Sequence, residues 1–155
     1  EHTESLEERL TIAKIAEEMI LKAIALSPEI AALYYFYGTL LYTHPCVEEE
    51  PSFLLRAKEQ FRQAVHRNES YQMPRLYYAH CCHDLKQWEE AAIAYKEVDT
   101  AMLLEENPYA GWRVFKLREQ RAYCLFKAGF VNEAEVVLQG LLEELDAMTA
   151  LVMEP

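Results

Sequence analysis

Four consecutive residues, His80, Cys81, Cys82 and His83, carry the most reactive side chains in the chain. Imidazole nitrogen and thiolate sulfur are both zinc ligands, and His80 and His83 stand at i, i+3 on one helix face, so a metal site is the first chemistry to weigh. A thiol beside an imidazole is also the raw material of a nucleophile pair. Helical geometry argues against both. At about 100° per residue, four consecutive side chains point around the whole axis and cannot jointly surround one ion, and adjacent residues do not face each other. A metal site would need two outside ligands, which no spacing implies, so metal binding through His80 and His83 is kept only as the minor alternative. The chain has no Gly-rich phosphate loop and no Ser-centred nucleophile elbow. No catalytic residue, metal or cofactor is expected, and the protein reads as non-enzymatic.

The four residues belong to a longer stretch, Leu76 to Val98, LYYAHCCHDLKQWEEAAIAYKEV. It divides at Lys86-Gln87 into an apolar-aromatic segment and a segment in which Ala91, Tyr95 and Val98 recur at helical spacing. A small residue on the inner face lets a neighbouring backbone approach, and the aromatic one turn later fills the gap beside it. The stretch is a helix-turn-helix unit. Ala57, Phe61 and Ala64 repeat the spacing, as do Ala134, Leu138 and Leu141, while Ala16, Ile20 and Ala23 repeat its small, large, small order.

Composition agrees with a helical stack. The chain has 155 residues, 52% of them apolar, which is enough for one continuous core and too much for disorder. Only four Gly occur, and Pro28, Pro45, Pro51, Pro74 and Pro108 fall between periodic segments. Helices are expected over residues 4–26, with a Ser5/Glu8 capping box, and then over 29–43, 52–67, 72–84, 87–104, 112–128 and 131–153. Gly38 interrupts the second, and close approach of a neighbouring helix would explain it.

The net charge of −11 is spread unevenly: ten acids against three bases in 1–50, ten against twelve in 51–127, six against none in 128–155. Nucleic acid is a poor partner for such a chain. Arg113, Lys116, Arg118 and Arg121 cluster on one helix, where Glu119 and the acidic flanks are the expected counter-charges. No apolar run is long enough to span a membrane and no leader pattern opens the sequence. Cys46, Cys81, Cys82 and Cys124 follow no disulfide framework, so a reducing, cytoplasmic setting is expected.

With Pro28 and Gly38 the shared spacing resembles the tetratricopeptide (TPR) repeat, a helix pair of about 34 residues. Tyr34, Tyr37, Gly38 and Leu41 match its first helix and Ala57, Phe61 and Ala64 its second. Tyr78, Ala79 and Cys82 followed by Trp88-Glu89-Glu90-Ala91 and Tyr95 form another unit, and Ala122, Leu125, Gly129, Ala134, Leu138 and Leu141 the last. The units run roughly 4–28 (partial), 29–69, 70–104 and 109–146, with a C-terminal helix extension to 153. The resemblance implies a single all-α domain, a right-handed superhelix of antiparallel helix pairs with about seven helices.

It also implies a concave groove lined by first helices: Tyr35, Thr39 and Tyr42, then Leu76, His80 and His83, then Lys116, Glu119, Tyr123 and Phe126. Such an aromatic wall would bind a peptide segment of a partner protein. The basic clamp with which family members hold acidic chaperone tails is absent, with Tyr35, Thr39, Tyr77 and Glu119 among its positions and only Lys116 basic. An apolar or basic segment is the expected ligand. Two further readings are a small acidic secretion-type chaperone and a structural protein that homodimerises through the apolar C-terminal helix.

Overall fold

The first helix begins where the sequence places a capping box. The Ser5 hydroxyl oxygen accepts from the Glu8 N–H at 3.2 Å, and the Glu8 carboxylate accepts from the Ser5 N–H at 2.7 Å. In this computed structural model residues 5–153 are described; Glu4, with which the first helix and the first unit were expected to open, lies outside them. Among the described residues the chain is all-helical, with α1 (Leu6–Leu26), α2 (Ala31–Tyr42), α3 (Ser52–Arg67), α4 (Gln72–Asp84), α5 (Trp88–Glu97), α6 (Thr100–Glu106), α7 (Gly111–Lys127) and α8 (Val131–Met153). None of these helices is long and apolar enough to cross a membrane.

Eight helices stand where about seven were expected, because the segment 87–104 breaks in two. Val98 takes an extended conformation (ψ 119°), and Asp99 caps a new helix by accepting from the Met102 N–H at 3.0 Å. The Asp99 N–H in turn donates to Oε1 of the buried Gln72 at 2.9 Å. The apolar period runs through this break without showing it; the local signal is the Asp99 cap, to which Gln72 adds an acceptor from far along the chain. The short α6 then returns the contact: the Glu106 carboxylate accepts from the N–H groups of Gln72 and Met73 at the start of α4, where a negative charge meets the unpaired donors of a helix N-terminus.

Helices pack largely in chain order: α1 on α2, α2 on α3, α3 on α4, α4 on α5, α5 on α7 and α7 on α8, with α6 against α4. Small residues set the spacing, and Ala57, Ala64, Ala79 and Ala91 are wholly buried. Gly38 is the tightest approach. A Cβ built there would lie 2.6–2.9 Å from the Phe61 ring, so α2 and α3 can meet at this distance only with glycine in place. Two cores result, one of Tyr37, Leu41, Ala57, Phe61 and Cys81, the other running from Leu76 and Cys82 through Tyr95 and Leu103 to Leu117, Leu125 and Ala134. Helix α4 contributes to both and joins them.

The links α4–α5 and α7–α8 are built alike. After α4, Lys86 N–H donates to His83 O and Gln87 N–H to Cys82 O; after α7, Gly129 N–H donates to Phe126 O and Phe130 N–H to Leu125 O. Both pairs form the Schellman cap, which needs a left-handed residue just past the helix. Gly129 supplies it at φ 94° and Lys86 at φ 59°.

Candidate functional site

Residues at spacings of three and four on α2, α4 and α7 bring one continuous aromatic face together. Tyr35 lies 5.4 Å from Tyr71 and 6.0 Å from Tyr77, both edge-on, and Tyr77 continues to Tyr42 at 5.6 Å and His80 at 5.6 Å. Phe61 supports it from beneath, 5.4 Å from Tyr77. Asp84 is the polar joint between the two halves. It accepts from the Tyr42 hydroxyl at 2.7 Å, and its other oxygen lies 2.8 Å from His83 Nδ1. The His83 ring then meets Trp88 at 5.6 Å and Tyr123 at 5.8 Å, and Trp88 and Tyr123 stand edge-to-face at 5.6 Å. Edge-to-face packing is the favoured arrangement of such rings and makes the surface rigid.

Several of the expected groove residues are therefore adjacent. Tyr35, Tyr42, His80, His83 and Tyr123 belong to the network, and Phe126, 59% exposed, lies one turn beyond Tyr123 on α7. Lys116 and Glu119 stand exposed on the same helix, paired with each other at 3.2 Å. Thr39 spends its hydroxyl on the carbonyls of Tyr35 and Phe36 within its own helix. Leu76 is different: it is 1% exposed and belongs to the core with Tyr95 and Leu117. Placing it on the groove was an error of phase, because its side chain faces the packed side of α4.

Tyr71, Asp84 and Trp88, which are not among the expected groove residues, join the face, as does Tyr77, expected only at a clamp position. Tyr77, His80 and Asp84 stand at i, i+3, i+7, a one-face spacing that was readable in principle. Trp88 was absorbed into the repeat motif, and its contact with α7 depends on how the two units are juxtaposed.

At neutral pH most of the face is uncharged. Burial pushes the Tyr35 hydroxyl up to about 12, with Tyr77 and Tyr71 adding to it. Burial and then the Asp84 carboxylate raise Tyr42 further. Burial holds the His80 imidazole down at about 4, and its Nδ1 lies 2.7 Å from the Tyr95 hydroxyl, which also reaches Gln120 Oε1 at 3.3 Å. Beside these rings Cys81 and Cys82 are fully buried, and burial raises both thiols, Cys82 to about 11, which disfavours the reactive thiolate. Among the described residues no group of three His, Cys, Asp or Glu side chains is placed to hold a metal ion.

Three of the four cations clustered on α7 have separate partners, and the Nε of the fourth, Arg121, is buried with no hydrogen-bond partner among the described residues. Arg118 binds Glu144 on α8 at 2.6 Å, Lys116 pairs with Glu119, and Arg113 stacks 4.7 Å from the Trp112 ring. Surface clefts occur elsewhere, including one of about 360 Å³ between α3, α4 and α5 lined by Arg62, His66, Arg75 and Tyr78, and one between α1 and α2 lined by Ile12, Ala16 and Leu40. Neither of these two clefts is lined by the rings of the aromatic face. No family model matches the chain, and no curated protein matches it in sequence.

Proposed function

We propose that the chain is a non-enzymatic interaction module of the tetratricopeptide-like kind, a right-handed superhelix of antiparallel helix pairs that holds a partner's peptide segment on its aromatic face. The observation that carries this reading is the unbroken run of rings and hydrogen bonds from Tyr71 through Tyr35, Tyr77, Tyr42, Asp84 and His83 to Tyr123, contributed mainly by α2, α4 and α7. Rigid aromatic side chains provide contact area at low entropy cost and dominate the binding energy of interfaces. The repeated Schellman links after α4 and α7, and the close approach of α2 to α3 at Gly38, support a stack of like units. Panning a random peptide library on the intact chain and on the Tyr123→Ser variant tests it. Peptides enriched on the wild type should be lost by the variant while the circular dichroism of the two stays the same; enrichment that is indifferent to Tyr123 and to Tyr42→Phe would defeat the proposal.

A second reading has its own observation. Beyond Leu141, α8 is exposed on every side to its end, presenting Leu142, Leu145, Met148, Leu151 and Val152. Self-association along this stripe would cover it. Sedimentation velocity across a wide concentration range checks this, and a monomer at every concentration would remove it.

A further inference from the structure

The last helix pair leaves apolar side chains uncovered on both of its members. On α8, Leu138, Leu142 and Leu145 recur at spacings of four and three and are 44%, 55% and 41% exposed. On α7, Phe115 and Phe126 are 38% and 59% exposed. In a stack of helix pairs each unit buries such a face against a neighbour. Among the described residues α8 packs on α7, and this row of leucines stays open.

Charge divides by helix in this pair. α7 carries Arg113, Lys116, Arg118, Arg121 and Lys127 against the single acid Glu119, whereas α8 carries five acids and no base. Two α8 helices laid along each other would set acid against acid with no cation on either to offset the repulsion. The spacing of the charges points elsewhere. On α8, Glu135, Leu138, Leu142 and Asp146 follow at three, four and four residues, so one row ends in a carboxylate on each side. Gln139 and Arg118 engage Glu143 and Glu144, but Glu135 and Asp146 have no partner among the described residues. On α7, Phe115-Lys116 and Phe126-Lys127 are also eleven residues apart. Eleven residues make about three turns and rise about 16 Å, which returns to the same face. The two lysines of α7 and the two end carboxylates of the α8 row therefore share one separation. Both lysines are exposed; Lys116 pairs only with its neighbour Glu119 at 3.2 Å, and Lys127 lies 5.6 Å from the Trp88 ring.

We infer that the α7–α8 pair is the contact surface of a twofold homodimer in which α8 of each copy lies along α7 of the other. The α8 leucines cover Phe115 and Phe126, while Glu135 and Asp146 meet Lys116 and Lys127. A second copy is the occupant because one face holds both the acidic apolar row and the basic row that matches it, and a twofold axis makes that contact twice and closes it. The inference rests on the self-association reading above and adds which helix receives α8. Sedimentation equilibrium of the full chain at about 0.05 M and about 0.5 M salt separates the two pairings, because screening weakens attraction between opposite charges and relieves repulsion between like ones. α8 against α7 is expected to give a dimer that loosens at high salt. Lys116→Glu/Lys127→Glu and Glu135→Lys/Asp146→Lys should each raise the dimer Kd about tenfold. The chain carrying all four substitutions should recover most of that loss. These side chains are exposed, so circular dichroism should stay the same throughout. A dimer that tightens with salt, that neither charge reversal weakens, or in which the two reversals add instead of cancelling overturns this pairing and leaves self-association intact. Growth beyond the dimer overturns the twofold closure. A monomer at every concentration overturns both readings.

Discussion

Replacing Gly38 with alanine tests the contact on which the α2–α3 pairing depends. Two effects of opposite sign compete. Alanine in a helix interior is favoured over glycine by about 1 kcal/mol. Against this, the new methyl would sit 2.6 Å from one edge carbon of the Phe61 ring and within 2.9 Å of two more. That ring cannot swing aside cheaply, since it is fully buried and packed 5.4 Å from Tyr77 and 6.1 Å from Tyr35. Adding a methyl to a filled core costs about 1–3 kcal/mol, and overlap with a confined aromatic ring belongs in the upper part of that range. The net expectation is a loss of about 1–2 kcal/mol, which for a domain of this size lowers the melting temperature by about 2–8 °C. Gly140→Ala is the matched control, because it lies in the interior of α8 with nothing within 4 Å of its would-be Cβ, and it should gain up to about 1 kcal/mol. Calorimetry or urea denaturation of the two variants gives the answer directly. A double variant with Phe61→Leu should lose less than the sum of its parts, since the smaller side chain relieves the clash. If Gly38→Ala stabilises as much as Gly140→Ala does, the close approach of α2 to α3 is wrong and the argument built on it fails.

The two matched links predict opposite responses at their left-handed residues. Lys86→Gly is expected to stabilise by about 1 kcal/mol and Gly129→Ala to destabilise by about the same amount, both read by thermal melting; equal effects of either sign would contradict the shared cap geometry. Stability is also expected to fall in mild acid because of His80. Its folded-state value, about 4, lies below the ordinary 6.5, chiefly through burial, with Asp84 opposing and His83 and Arg113 reinforcing the shift. Between those values the unfolded chain binds a proton that the folded chain does not, so the contribution is present above about pH 6.5 and is lost as pH falls toward 4. The urea midpoint of His80→Gln should drop less between pH 7 and pH 5 than that of the wild type; parallel drops would show that His80 is not the sensor.

The helical character and most helix limits were legible because they depend on local signals. Ser5 and Glu8 announce one helix start, and Gly129 announces a stop through its freedom at positive φ. Ala57, Phe61 and Ala64 state which side of α3 faces inward. Most features that escaped the sequence depend on groups distant along the chain: Gln72 holds the Asp99 N–H at the break after Val98, Trp88 meets Tyr123 because α7 packs against α5, and Leu76 points into the core it shares with Tyr95 and Leu117. Lys86 escaped for a different reason. Its side chain gives no hint of a left-handed backbone, and only the equivalent position of Gly129 in the next link makes the requirement visible. The same distinction bears on the candidate site. Sequence spacing could put aromatic residues on first helices, but which polar groups remain unpaired after folding depends on the neighbours that the fold assembles. Asp84 illustrates this, since one of its oxygens accepts from the Tyr42 hydroxyl and the other lies 2.8 Å from His83 Nδ1. What intramolecular pairing leaves on this face is hydroxyls, each able to donate and to accept, and an indole donor, set among ring edges.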